Sequence, residues 1–330
     1  MVVRAVAFPR PGPGEGVSLN DRHTNLKSAL MKPLPAMPLT LIVLSGFYAP
    51  ARHAIHYADT LAQALRAQLV LLHVNRAGLF DPYELVGSAG EKYHRQELAA
   101  QTNTVVALRQ LAHRLHVPAT VEMATDLLPD IARELAARFC PALFVLGQPD
   151  AGHPDYDGMT AICAELLRAV HYPVLAVPTT ASTDQPPHRF LIAADREPFT
   201  LGPAAQALRP LLALLGTEVV VAHVSDGVVD DDGCAAALRA VRASGLVEFQ
   251  VPELRGYLDS DYADGVLTAT QEVAADMVVM LARQRSFMSD LFHRSVTARL
   301  VEQCPVPVLV LPTAAEVSQD VTTAPATAAA

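Results

Sequence analysis

Residues 277–312 read MVVMLARQRSFMSDLFHRSVTARLVEQCPVPVLVLP. The order is a short apolar strand, a polar loop, an amphipathic helix and a closing apolar strand. Residues 142–178, ALFVLGQPDAGHPDYDGMTAICAELLRAVHYPVLAVP, repeat that order. Runs such as MVVML and PVLVL lack the alternation of a half-exposed strand. They read as strands covered on both faces, as in a parallel sheet. The loop after such a strand is where an open α/β sheet binds ligands.

Working outward, each stretch closes a longer alternation of strands and helices. In the first, LTLIVLS from Leu39 is a strand. A helix follows over 50–68, with Ile55, Ala58, Leu61, Ala62 and Leu65 at helical spacing. QLVLLHV (68–74) is the second strand, 76–90 a loop, and 91–116 a long helix with Leu98, Val105, Leu108, Leu111 and Leu115 on one stripe. ATVEMA (119–124), a helix over 126–139, ALFVLG, a helix over 159–170 and PVLAVP complete it. The second starts at RFLIAAD (189–195) and continues with a helix over 202–215, EVVVAHV (218–224) and a helix over 233–243. VEFQV (247–251), a helix over 261–275 and the opening stretch follow. Strands alternating with helices predict an α/β fold, and right-handed crossovers restrict it to the doubly wound class. The organisation expected is a leader over 1–38, one domain over 39–178, a polar Pro-rich linker over 179–188, a second domain over 189–312 and a tail over 313–330. Leader and tail read as disordered, with initiation at Met31 or Met37 as a hypothesis.

The repeat is numerical as well as visual. His73 and His223 stand 150 residues apart, Pro173 and Pro307 only 134. The second unit is therefore about 16 residues shorter, mainly in the loop and helix after its second strand. A period this long indicates two homologous domains rather than a solenoid of short repeats.

Composition excludes several functions. Of 330 residues, 51% are hydrophobic and 18% charged, enough to build a large core. The net charge is −9, Lys occurs only at 27, 32 and 92, and no basic stripe faces a phosphate backbone, so nucleic acid is not an expected partner. No apolar run reaches the length of a membrane span, and residues 1–16 do not make a signal peptide. Four Cys at 140, 163, 234 and 304 share no metal-ligand spacing and fit a reduced, cytoplasmic chain; Cys163 and Cys304 are expected in the core.

The paired LLHV/VAHV strands, the paired FVLG/MVVML strands and the paired YPVLAVP/VPVLVLP endings together resemble a tandem universal stress protein. FMSDLFHRSVTARL resembles the last helix of tandem members. The resemblance covers about 39–178 and 189–312. It implies two five-stranded parallel domains, of the adenine nucleotide α-hydrolase-like fold, packed as an internal pseudo-dimer. Their last strands, Pro173, Val174, Leu175 and Val177 against Pro307, Val308, Leu309 and Val310, would join and remove two exposed edges. In the family, ATP sits on a loop of the form G-x-x-G-x9-G-(S/T) after the fourth strand, with an Asp ending the first. Glycines let backbone N–H groups close on phosphate, and the next helix N-terminus favours negative charge.

Here that motif is degenerate. Counting back from Pro173, the first unit has Gly147, Asp150 and Thr160 at the glycine positions, Ala161 at the hydroxyl, and Gly46 where the acid belongs. Asp150, Asp155 and Asp157 would repel phosphate. Counting back from Pro307, the second unit has Leu281, Gln284 and Arg294, but keeps Ser295 and Asp195. The resemblance therefore implies, at most, a nucleotide or anion site made of Asp195, Val224, Arg283, Arg285, Arg294 and Ser295. The competing reading is a solvated loop with a helix N-cap at Ser295 or Asp290. His73 and His223 read as hydrogen-bonded structural residues, and Asp230–Asp232 as a solvated turn, since neither has partners at metal spacing. No nucleophile elbow surrounds Ser45, and LSGFYAP and AADREPF are not the Gly-rich loops that an enzyme of that wider group needs. The expectation is a non-enzymatic stress-response module that associates with a protein partner or a second copy. It has no metal and no required cofactor, and ATP is the rival ligand.

Overall fold

The computed structural model describes residues 38–45, 49–74, 103–124, 128–148, 156–209, 215, 218–248, 250–283 and 296–314. Ten strands form one sheet. They are β1 (Thr40–Leu44), β2 (Gln68–Val74), β3 (Ala119–Ala124), β4 (Ala142–Gly147), β5 (Val174–Val177), β6 (Arg189–Ala193), β7 (Glu218–Ser225), β8 (Glu253–Leu258), β9 (Met277–Ala282) and β10 (Val308–Pro312). Their spatial order is β3-β2-β1-β4-β5-β10-β9-β6-β7-β8. Every neighbouring pair is parallel except β5 with β10, which is antiparallel. The sequence predicts two five-stranded sheets; hydrogen bonding of β5 to β10 makes them one.

The helices are α1 (Ala49–Leu65), α2 (103–112), α3 (Leu128–Arg138), α4 (Tyr156–Val170), α5 (Pro203–Gln206), α6 (Asp231–Ser244), α7 (Tyr262–Glu272) and α8 (Val296–Gln303). They form two layers. α3, α4, α7 and α8 bury apolar residues on one face of the sheet, α1, α5 and α6 on the other, where α2 adds the partly buried Leu111 and Ala112. The apolar runs explain the layering. Along β10, Val308 and Val310 enter the first core and Leu309 and Leu311 the second, all at most 2% exposed.

The strand registers of the two halves correspond. Phe144 pairs with Val174 and Val278 with Val308, both separated by the 134 residues that separate Pro173 from Pro307. Across the junction Leu175 faces Leu309, its own equivalent, while Val174 faces Val310 and Ala176 faces Val308. A local twofold axis therefore passes through the Leu175–Leu309 pair. Each core runs through this junction without a break and includes strands of both halves.

The linker is docked rather than loose. His53 donates to the Ala181 carbonyl (2.9 Å), Thr60 to that of Thr183 (2.5 Å) and Thr180 to that of Pro305 (2.6 Å). The Gln148 side chain also crosses the junction, donating to the Glu302 carbonyl.

One sequence reading needs correction. The described residues of VEFQV (247, 248, 250 and 251) are not in a strand. Gly245 ends α6 at φ 77°, a left-handed cap, and the chain turns so that Leu246 and Val247 plug the core. Pairing with β7 begins only at Glu253. Of the helix expected over 202–215, α5 forms, a turn follows at 207–208 and Arg209 is helical again; residues 210–214 lie outside the described set, as does 91–102 of the long helix.

All four cysteines are free thiols, and Cys140 alone is exposed. Burial pushes Cys163 up to about 12 and Cys304 up to about 11, and raises Cys234 with help from Asp230 and Asp231. Native protein treated with N-ethylmaleimide at neutral pH is expected to label at Cys140 first, the other three only on unfolding; equal rates by peptide mass spectrometry would contradict the packing. For the junction, Leu309→Ala should cost about 2–5 kcal/mol in denaturant titrations, in one cooperative transition. Two separate transitions would contradict the continuous cores.

Candidate functional site

The second half changes winding direction between β6 and β9, which are neighbours although far apart in sequence. The crevice at their carboxyl ends is where a doubly wound sheet places a ligand. Asp195 follows β6 and Arg283 follows β9, so the topology brings both to this crevice. They meet in a two-point ion pair: Arg283 Nη2 donates to Asp195 Oδ1 at 2.6 Å and Nε to Oδ2 at 3.2 Å.

Arg283 does more than neutralise the acid. Nη2 also donates to the Glu197 carbonyl (2.8 Å) and Nη1 to that of Pro198 (3.2 Å), with the Glu197 carboxylate 3.7 Å away. Asp195 Oδ1 accepts the Glu197 N–H (3.0 Å), closing an Asx turn. The guanidinium is 17% exposed while its partner carboxylate is 54% exposed. Residues 195–198 therefore wrap around the arginine. The same segment then lies across the end of β10, with Gly202 N donating to the Pro312 carbonyl (2.9 Å) and Ala314 N to that of Thr200 (2.7 Å).

Of the other residues named from the sequence, Val224 is buried and packs against Gly265 of α7, a core role. Arg285, Arg294 and Ser295 lie outside the described residues, as do Gln284, Asp290, Gly46, Asp150 and Asp155. In the first half, Gly147 ends β4 and is pressed by α1. A Cβ there would stand 2.4 Å from the Pro50 carbonyl oxygen, so the glycine serves helix–strand approach. Thr160 lies within α4, where the family motif has its third glycine.

The two histidines hold equivalent places. His73 Nδ1 lies 3.0 Å from the Ser45 carbonyl oxygen and His223 Nδ1 3.1 Å from that of Ala194; each ties the end of a second strand to the end of a first. His223 is 4% exposed, and its Nε2 lies 3.3 Å from Asp230 Oδ2. Asp230 is the N-cap of α6, accepting Gly233 N at 2.8 Å, and it also accepts from Arg196 Nη2 at 3.0 Å. The run read as a solvated turn is thus a helix cap joined to the loop that carries Asp195. Adjacency of Arg196 to Asp195 and of Asp230 to the helix start was the available signal.

The Gly233 N–H holds the Asp230 carboxyl below its usual range. Burial opposes this, and His223 and Arg196 reinforce it. A depressed carboxylate stabilises the fold above its unfolded pKa, and that stability is lost as pH falls through the folded value. Asp230→Asn keeps a cap acceptor but not the charge. Its melting temperature should therefore fall less than that of wild type as pH is lowered below about 4. An equal or steeper fall in acid melting curves would contradict this.

Residues 256–312, from within β8 to the end of β10, match the model of the universal stress protein family. Among solved structures, the chain is similar to a universal stress protein from Archaeoglobus fulgidus DSM 4304. The TM-score is 0.58 and the identity 16%, covering 82% of this chain and 97% of that one. It is also similar to a putative universal stress protein from Pseudomonas aeruginosa UCBPP-PA14, with TM-score 0.47, 18% identity and 84% and 94% coverage. No curated protein matches. The first likeness extends over nearly the whole of its counterpart, and what the two share at this identity is the fold; the family match rests on the stretch that closes the second half.

Proposed function

We propose that the chain is a tandem universal stress protein in which two domains act as an internal pseudo-dimer, and that it is a non-enzymatic module for stress response and partner binding. The matching registers of the two halves, the β5–β10 pair and the family match over 256–312 support this reading. Among the described residues no helix is long and apolar enough to cross a membrane. A reduced cytoplasmic setting suits the four free thiols.

The observation that carries the reading of weakened ATP binding is the Asp195–Arg283 pair. The acid that a nucleotide's base or ribose would engage is already held at two points. A ligand would have to break that pair, strip Arg283 from two backbone carbonyls and open the 195–198 turn. Among the described residues of the first half, Pro50 lies against Gly147, the position of the motif's first glycine. Association is the activity we assign. The candidates are a protein partner or a second copy.

Isothermal titration of the full chain with ATP and magnesium is expected to give no micromolar binding. Micromolar binding that Ser295→Ala abolishes would overturn the proposal in favour of a nucleotide or anion site in the second half.

A further inference from the structure

A cavity of about 500 Å3 lies at the opposite end of the second half, where β6, β7 and β8 begin. It is lined by Val220 and by Val273 at the end of α7, which belong to the same core, and by Arg189, Glu218, Glu253, Arg255 and Glu272. The first half shows what normally fills this place. Register equates Val273 with Phe139, Glu272 with Arg138 and Arg255 with Glu122. There Phe139 packs into the core, the Arg138 guanidinium lies 4.6 Å over its ring, and Arg138 pairs with Glu122 across the gap. The second half has a smaller side chain in place of the phenylalanine and opposite charges in place of the ion pair. The cavity is thus a specific departure from the internal repeat.

The charges are not equally available. Arg189 is committed: Nε and Nη2 donate to Glu218 (2.8 and 2.5 Å), and Nη1 donates to the Val273 carbonyl (2.8 Å). Arg255 is held to Glu253 through Nε alone, at 2.8 Å, which leaves its two terminal amino groups outside that bond. Glu272 ends α7, so its carboxylate stands at the negative end of the helix dipole, where the Ala269, Thr270 and Gln271 carbonyls already accept backbone N–H groups. Between them stands Tyr257, 3% exposed, whose buried hydroxyl both Arg255 and Glu272 approach. Burial raises its pKa; Arg255 lowers it and Glu272 raises it, so both charged groups lie within electrostatic reach of this phenol.

We infer that this cavity binds a small zwitterion with an apolar body, of the α-amino-acid class. Arg255 receives the carboxylate through its terminal amino groups, Glu272 at the end of α7 receives the ammonium, and the side chain rests on Val220 and Val273. A guanidinium is suited to a carboxylate, and a volume of this order is typical of small-molecule sites. The inference is independent of nucleotide binding at the other end of the sheet.

The test is an NMR titration of the 15N-labelled full chain with L-leucine, 4-methylpentanoate and 3-methylbutylamine. These share the aliphatic body and carry both charges, the negative one or the positive one. L-Leucine is expected to shift the amides of Val220, Gly256 and Val273 saturably, with both single-charge probes at least about tenfold weaker. Val273→Phe, which restores the residue of the first half, and Arg255→Gln should each weaken L-leucine at least about tenfold with an unchanged melting temperature. No saturable shift up to about 20 mM, the amine binding as tightly as leucine, or full affinity in a folded Val273→Phe or Arg255→Gln protein would each overturn the assignment.

Discussion

The antiparallel hydrogen bonding of β5 to β10 is the constraint on which the rest depends. Two parallel five-strand sets would each end in an apolar edge, with unpaired backbone groups and Val and Leu side chains facing water. Joining them satisfies both edges at once. It also merges the layers above and below, because side chains at the junction alternate between two cores that already exist. The strand pair is short, three registered residues on each side. Its contribution comes less from its hydrogen bonds than from side chains that are essentially inaccessible, at roughly 1.5–3 kcal/mol for each fully buried aliphatic residue.

The second constraint is at the carboxyl end of the second half. A parallel sheet leaves a crevice between β6 and β9, and an unfilled crevice would expose backbone to solvent. Here the protein fills it with its own side chain. Arg283 is held by carbonyls of the very loop that carries Asp195, so the loop and the arginine order each other. His223 and Asp230 brace that loop from the other side. Among the described residues, Asp195, Glu197, Pro198 and Arg283 satisfy one another's polar groups.

Much of this was legible in the sequence, and the rest was hidden for physical reasons. PVLAVP and PVLVLP read as buried strands because every position is apolar, and the same order of strands and helices, at offsets of 150 and then 134 residues, suggested a repeat. Asp195 was legible as the acid after a strand. Its partner was not: Arg283 looked like one of several loop cations until β9 was placed beside β6, and adjacency of strands distant in sequence is not written in local periodicity. β8 was misplaced for a related reason. Glu253, Arg255 and Tyr257 share one face of an outer strand, so ELRGYL carries charges where an apolar run was sought. VEFQV, although more apolar, belongs to a turn that caps α6. The cavity was invisible because it depends on comparing Val273 with Phe139 in three dimensions.

Reversal of strand direction at β5–β10 also gives the sheet two unlike rims. On one rim the strands of the first half end while those of the second begin; on the other the roles exchange. The Gly147 end of β4 and the mouth of the cavity under Val273 therefore open toward the same side, with β4 and β6 four strand spacings apart, or about 19 Å. A macromolecule lying along that rim would touch the Gly147 end of one half and the cavity of the other in a single footprint. The local twofold relates the backbones of the two halves, but their side chains differ, so each rim is a composite surface that neither half could present alone.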